Sequence, residues 1–149
     1  MPGYEAPVYV CWAQINRSAM IRIPQMTAGR EASVRAELRC PDPSCNPYLA
    51  FAAILAAGLD GIEKKTACPP PVNNINIYQM DESELAKLGV RQLPGSLPEA
   101  LTELAADPVL VEALGEEAFA AFRRAKQAEW DSYRIRVMDW ELENYLETA

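Results

Sequence analysis

The sequence predicts an α+β fold, with strands at the front of the chain and helices behind them. Three observations carry this reading. Residues 8–39 hold three short stretches of strand character, separated by turn signals. From Asn46 onward, apolar residues recur every three or four positions, the spacing of one helix face. Capping residues, glycines and prolines divide that second region into about five helices. The 149 residues suit one domain, or one large piece of a domain. A compact fold of this length buries roughly 68–70% of its unfolded surface.

The elements follow in order. Val8–Ala13 is almost continuously apolar (Val8, Val10, Cys11, Trp12) and reads as a buried strand. Asn16-Arg17-Ser18 is a turn signal. Ala19–Ile23 alternates, with Ile21 and Ile23 on one face and Met20 and Arg22 on the other, and Pro24 ends it. Residues 25–33 form a polar loop. In the third strand Val34, Ala36 and Leu38 point one way, and Arg35, Glu37 and Arg39 the other.

Pro41-Asp42-Pro43 forces a stiff turn. Asn46 then supplies an N-cap and Pro47 takes the favoured first helical position. The helix runs to about Lys64, and Tyr48, Phe51, Leu55, Leu59 and Ile62 define its expected buried stripe. Cys68–Asn76, with Pro69-Pro70-Pro71, is a loop. Asp81–Leu88 is a short helix ended by Gly89. Ser96, with Glu99 three residues on, starts another as a capping box. A short helix follows from Asp107-Pro108 to Gly115. Glu116–Leu146 is expected as the longest helix. Its stripe of Phe119, Phe122, Trp130, Tyr133, Val137 and Trp140 suits a core or a subunit contact.

Composition narrows the function classes. Half the residues are hydrophobic and 23% are charged, which is globular composition. A net charge of −7 opposes nucleic acid and anionic membranes as general partners. The longest apolar run, around Ala50–Leu59, is too short to span a bilayer. Cys11, Cys40, Cys45 and Cys68 lack zinc spacing and read as reduced thiols in a cytoplasmic protein, and no secretory signal is visible. The chain has no histidine, so no Ser-His-Asp triad, Cys-His pair or His-metal ligand can arise within it. Acid–base work would fall to carboxylates, Lys, Tyr or Cys.

The front third collects arginines: Arg17, Arg22, Arg35 and Arg39, with Glu37 between the last two. Guanidinium groups grip carboxylate and phosphate oxygens bidentately. A carboxylate among them serves either as a counter-charge or as a ligand for Mg2+ or Mn2+. Phosphoryl transfer needs that mixture of groups. By pattern alone, a solvated face tied by salt bridges is the reading that comes first. Pro2-Gly3-Tyr4-Glu5-Ala6-Pro7 is a stiff-ended segment that presents Glu5 as a gate or base, or is simply a surface turn.

Taken in order, Pro2–Pro7, Asn16–Ala19, Ile21–Pro24, Glu37-Leu38-Arg39, Pro41–Pro43 and Asn46–Ala52 through Ala57–Gly61 resemble the C-terminal part of the glutamine synthetase catalytic domain, type I. The likeness extends over residues 1–149, including Leu93–Leu97 and Asp139–Leu142. It implies part of a catalytic barrel, with about three antiparallel strands and then about five helices. It implies ATP-dependent joining of glutamate and ammonia through γ-glutamyl phosphate, with Mg2+ or Mn2+, in a cytoplasmic homo-oligomer (a dodecamer in the family). By residue, Glu5 resembles the flap glutamate that helps deprotonate ammonium. Arg17 resembles the arginine on the transferred phosphate, near both glutamate and ATP. Arg22 and Arg35 resemble nucleotide-phosphate contacts, and Arg30 matches a basic position near the nucleotide more loosely. Glu37 resembles a metal ligand, and Arg39 the clamp on the glutamate α-carboxylate. Tyr78 lies near a tyrosine that some bacterial members adenylylate. Ile15 departs from members with arginine there.

The family also needs an N-terminal β-grasp domain and the first half of the barrel, which carry most metal ligands. The expectation is therefore a C-terminal fragment beginning inside the flap segment, inactive alone and prone to self-association through uncovered strand edges. Two alternatives stand beside it. One is a stand-alone interaction module that binds synthetase subunits and alters their assembly. The other is a related γ-glutamyl–amine ligase.

Overall fold

The computed structural model describes residues 7–16, 18–73 and 75–146. The chain divides into two compact units, Met1–Gly95 and Ser96–Ala149. The α+β expectation holds: the strands and one long helix lie in the first unit, and the second is helical.

The first unit is built on a four-stranded sheet of order β3-β2-β1-β4, formed by β1 (Tyr9–Ala13), β2 (Ala19–Arg22), β3 (Glu37–Leu38) and β4 (Arg91–Gln92). β4 is an addition to the expected strands. β2 and β3 pair antiparallel, as do β1 and β4, but β1 and β2 run parallel, against the expectation of an all-antiparallel set. Parallel neighbours ordinarily need a crossover of a dozen or more residues. Here residues 14–18 suffice because the strands are short and the connection is tied down, as described below. In this pair Tyr9 faces Ala19 and Trp12 faces Ile21, so β1 carries one extra residue, a bulge.

β1 is buried on one face only. Tyr9, Cys11 and Ala13 join Ala19, Val72, Ile77, Leu85 and Val90 in the core, while Val10 and Trp12 are half-buried on the other face. An apolar run had suggested burial on both faces; at this site the second face stays partly open. Ile77, on a short 3-10 turn at Ile77–Gln79, is fully enclosed. α2 (Glu82–Lys87) carries a reciprocal capping box, with Asp81 Oδ1 accepting from Glu84 N and Glu84 Oε2 from Asp81 N, both at 2.9 Å. Gly89, at φ 66°, then turns the chain so that Leu85 and Val90, on either side of it, both reach the core.

α1 (Pro47–Glu63) begins where the sequence places it, with Asn46 Oδ1 accepting from Tyr48 N at 3.0 Å and Leu49 N at 3.4 Å. Its expected buried stripe is not buried. Tyr48 is 84% exposed, Phe51 70% and Ile62 73%, and Leu55 and Leu59 are exposed too. Periodicity identifies the face that prefers to leave water, but a covering element must also exist, and among the described residues none lies over it.

The second unit consists of α3 (Leu97–Ala106), α4 (Pro108–Leu114), α5 (Glu116–Arg134) and α6 (Asp139–Tyr145). α3 and α4 pack on α5 and on each other, around the buried Leu101. Asp107 closes α3 and caps α4, its Oδ1 accepting from Val109 N at 3.0 Å and Leu110 N at 3.2 Å. Gly115, at φ 76°, makes the corner into α5. The single helix expected over Glu116–Leu146 is two. The β-branched Ile135 and Val137 lie in the break, and Glu141 Oε2 accepts from Met138 N at 2.8 Å, which favours a fresh start at Asp139. The aromatic stripe divides with it: Phe119, Phe122 and Trp130 are half-buried, whereas Tyr133, Val137 and Trp140 are exposed. No helix among the described residues is long and apolar enough to cross a membrane.

Candidate functional site

Three of the sequence-selected charges meet across β2 and β3. The register sets Arg22 directly opposite Glu37 across the antiparallel ladder, so their side chains stand on one face. Arg35 lies two residues before Glu37 and so projects to the same side. Glu37 Oε2 accepts from Arg22 Nε at 2.7 Å and lies 2.7 Å from Arg22 Nη2. Glu37 Oε1 accepts from Arg35 Nε at 2.8 Å and lies 2.5 Å from Arg35 Nη2. Each oxygen thus takes one guanidinium fork. Arg22 and Glu37 are part-buried and Arg35 is more open. The Arg22 hydrogen bond, opposed by partial burial and assisted by Arg35, holds the Glu37 carboxyl below the usual carboxylate range.

Arg39 extends the ladder, its N donating to Met20 O at 2.9 Å. Its side chain is part-buried, and its charge acts on the Tyr78 hydroxyl. The Tyr78 ring sits 5.7 Å from that of Tyr9, tilted by 57°. Burial pushes the Tyr78 phenol up, with Tyr9 and Cys11 adding to this and Arg39 offsetting part of it. Arg30 is exposed at the start of a 3-10 turn over Glu31–Ser33, outside the ladder that carries Arg22 and Glu37. Glu5 and Arg17 lie outside the described residues.

The turn that flanks Arg17 is nonetheless well defined on both sides. Asn16 Oδ1 accepts from Ser18 N at 3.0 Å and Ser18 Oγ at 2.5 Å, while Asn16 Nδ2 donates to Ile75 O at 2.9 Å and Val72 O at 3.4 Å. Gln14 N donates to Asn73 Oδ1 at 2.9 Å, Val72 N to Trp12 O at 2.9 Å, and the Trp12 indole to Pro69 O at 2.7 Å. The segment after Cys68 is thus tied along β1 and holds the short β1–β2 connection. Sequence reasoning saw Asn16 only as a turn residue; the Asn-x-Ser spacing of an Asx turn was the available signal for its clamp. Ile15 is exposed in the same connection. The four cysteines are free thiols, with Cys11 in the core, where burial pushes its thiol up.

A divalent cation is not accommodated by these residues as they stand. Mg2+ requires a near-octahedral oxygen set. The described residues contain no group of three acidic or thiol side chains that could hold a metal ion, and both Glu37 oxygens are taken by arginines.

The family model of the glutamine synthetase catalytic domain matches residues 1–145. The chain belongs to the glutamine synthetase family. The Thermus thermophilus glutamine synthetase is 58% identical over 147 residues, covering 99% of this chain and 32% of the relative. The Methanocaldococcus jannaschii glutamine synthetase is 52% identical, covering 98% of this chain and 31% of the relative. The chain therefore spans about a third of the length of the synthetases it matches. Among solved structures, a GmaS/ADP complex superposes with a TM-score of 0.78 at 40% identity, over 96% of this chain and 30% of that one. A Plasmodium falciparum glutamine synthetase gives the same TM-score at 24% identity, a likeness of fold, over 97% of this chain and 35% of that one.

Proposed function

We propose that these residues are the C-terminal part of the catalytic domain of an ATP-dependent glutamate–ammonia ligase and form one wall of its active site. The observation that carries this reading is the meeting of Arg22, Glu37 and Arg35 across β2 and β3, with Arg39 one ladder step further on. Guanidinium forks in a part-buried setting suit phosphate and carboxylate oxygens. Arg22 and Arg35, with Arg30 at the margin, hold the nucleotide phosphates. Arg39 holds the glutamate α-carboxylate. Arg17 meets the phosphoryl group in transfer, where a fixed positive charge lowers the barrier most. Glu5 closes the site and draws a proton from ammonium. A related structure, 40% identical, is a GmaS/ADP complex, which supports a nucleotide as a ligand of the whole enzyme. A divalent cation, which neutralises nucleotide phosphates in such a ligase, needs ligands beyond the residues described. ATP, glutamate and ammonia are the partners of the whole enzyme, which we propose is a cytoplasmic homo-oligomer.

In isolation the 149-residue chain is expected to be inactive, since one wall cannot enclose the reacting groups. Phosphate release with glutamate, ammonia and ATP tests this: no turnover above background is expected, and turnover abolished by Arg39→Ala would overturn it. A second reading is favoured by one observation, the exposure of Tyr133, Trp140 and Tyr145 at the end of the chain. There the chain acts as a module that binds synthetase subunits and modulates their assembly. Size-exclusion chromatography with an intact synthetase decides this; absence of co-elution removes it.

A further inference from the structure

Glu37 is the one carboxylate in the arginine cluster, and its geometry leaves a cation nothing to bind. A carboxylate offers about four lone-pair sites. In this chain Oε2 faces Nε and Nη2 of Arg22, both at 2.7 Å, and Oε1 faces Nε and Nη2 of Arg35, at 2.8 and 2.5 Å. All four sites face a guanidinium nitrogen. Neither arginine can release its partner by losing a proton, because guanidinium stays charged in proteins. A Mg2+ ion at about 2.0–2.1 Å from either oxygen, or a Mn2+ ion in its place, would enter space held by these cationic groups. No second and third acid among the described residues stand ready to offset that repulsion.

We propose that Glu37 serves this chain as a positioning residue that pairs Arg22 with Arg35, and that a divalent cation can take Glu37 only by displacing one of them. Arg35 is the partner to leave. It comes from the residues just before β3, its side chain is 54% exposed against 29% for Arg22, and it lacks the cross-strand register that fixes Arg22. The cation and the arginine thus compete for one carboxylate, and an arginine set free is available to an anion such as a polyphosphate. The identity of that anion rests on the ligase reading above. The competition for Glu37 does not.

The test is Mn2+ binding to the full 149-residue chain, read from the electron paramagnetic resonance signal of free Mn2+, with no nucleotide present. The wild-type chain is expected to bind weakly, and Glu37→Gln to leave that binding unchanged. Arg35→Ala is expected to tighten Mn2+ binding by about tenfold, the scale on which groups around a ligand tune metal affinity. Adding Glu37→Gln to Arg35→Ala should abolish the gain. Arg35→Gln, neutral and of similar reach, replaces the alanine variant if that one does not fold, as judged from its urea midpoint. Two results overturn the proposal: wild-type Mn2+ binding that is lost in Glu37→Gln, or no gain in either folded Arg35 variant. Neither bears on whether the intact ligase makes glutamine, so the two readings fail separately.

Discussion

Replacing Asn16 by alanine should unsettle the first unit more than its position on a turn suggests. The side chain supplies three well-formed hydrogen bonds, to Ser18 N, Ser18 Oγ and Ile75 O, and a fourth, longer one to Val72 O. At about 1 kcal/mol net each, the three amount to roughly 3 kcal/mol. Ser18 is only 8% exposed, so its hydroxyl cannot simply turn to water, and an unsatisfied buried group adds a penalty. Relaxation of the connection returns part of this. The expected loss is about 2–3 kcal/mol, a fall in Tm on the order of 10 °C for a unit of this size. Urea denaturation with an unchanged m-value is the assay. Asn16→Asp separates the two halves of the clamp: it keeps the acceptor but turns a carboxylate toward the carbonyls of Val72 and Ile75, so it should cost a similar amount. A loss below about 0.5 kcal/mol in Asn16→Ala, the range of an ordinary surface change, would refute the clamp.

Other consequences follow from burial and charge. Ile77→Ala empties the one large side chain that is fully enclosed among the described residues and should cost about 2–5 kcal/mol, against about 0.5–1.5 for Ile77→Val; equal urea midpoints for the two would contradict the core described. The Glu37 carboxyl has a lowered folded-state pKa, so its contribution to stability is present above its unfolded value and is lost as pH falls through the folded one. The stability difference between wild type and Glu37→Gln, read from urea midpoints, should therefore hold near neutral pH and shrink below about pH 4. A difference independent of pH would contradict the ion triad. The exposed stripe of α1 should bind an apolar fluorescent dye in the native state. The double variant Phe51→Ser, Leu55→Ser should lower that signal while shifting stability by no more than about 0.5 kcal/mol per site. A large loss of stability would show that the face is covered.

Much of the fold is legible where local chemistry decides it. Asn46-Pro47 starts α1, Asp107-Pro108 starts α4 and Gly115 ends it, because caps, proline geometry and positive φ act within a few residues. What fails depends on partners distant in sequence. The direction of β1 against β2, and the pairing of Arg91–Gln92 with Tyr9–Val10, follow from long-range packing that a two-residue period does not encode. The stripe Tyr48–Ile62 is apolar, as its spacing predicts, yet exposed, since period names a face without supplying its cover. For the site, alternation placed Arg35 and Glu37 on one side, yet only the β2–β3 register brought Arg22 to Glu37. The carboxylate read as a metal ligand by resemblance stands between two guanidiniums, a geometry no motif prints.

On the proposed function, Arg22, Arg35, Glu37 and Arg39 form one working wall of a glutamine-forming site. The most direct measurement is a graft: the matching third of the Thermus thermophilus glutamine synthetase, 58% identical, replaced by this chain and assayed for glutamine formation. The expected result is an active chimaera whose activity is abolished by Arg39→Ala and strongly reduced by Arg22→Ala, with assembly unchanged. A chimaera that assembles but makes no glutamine, or one whose activity survives Arg39→Ala, would contradict it.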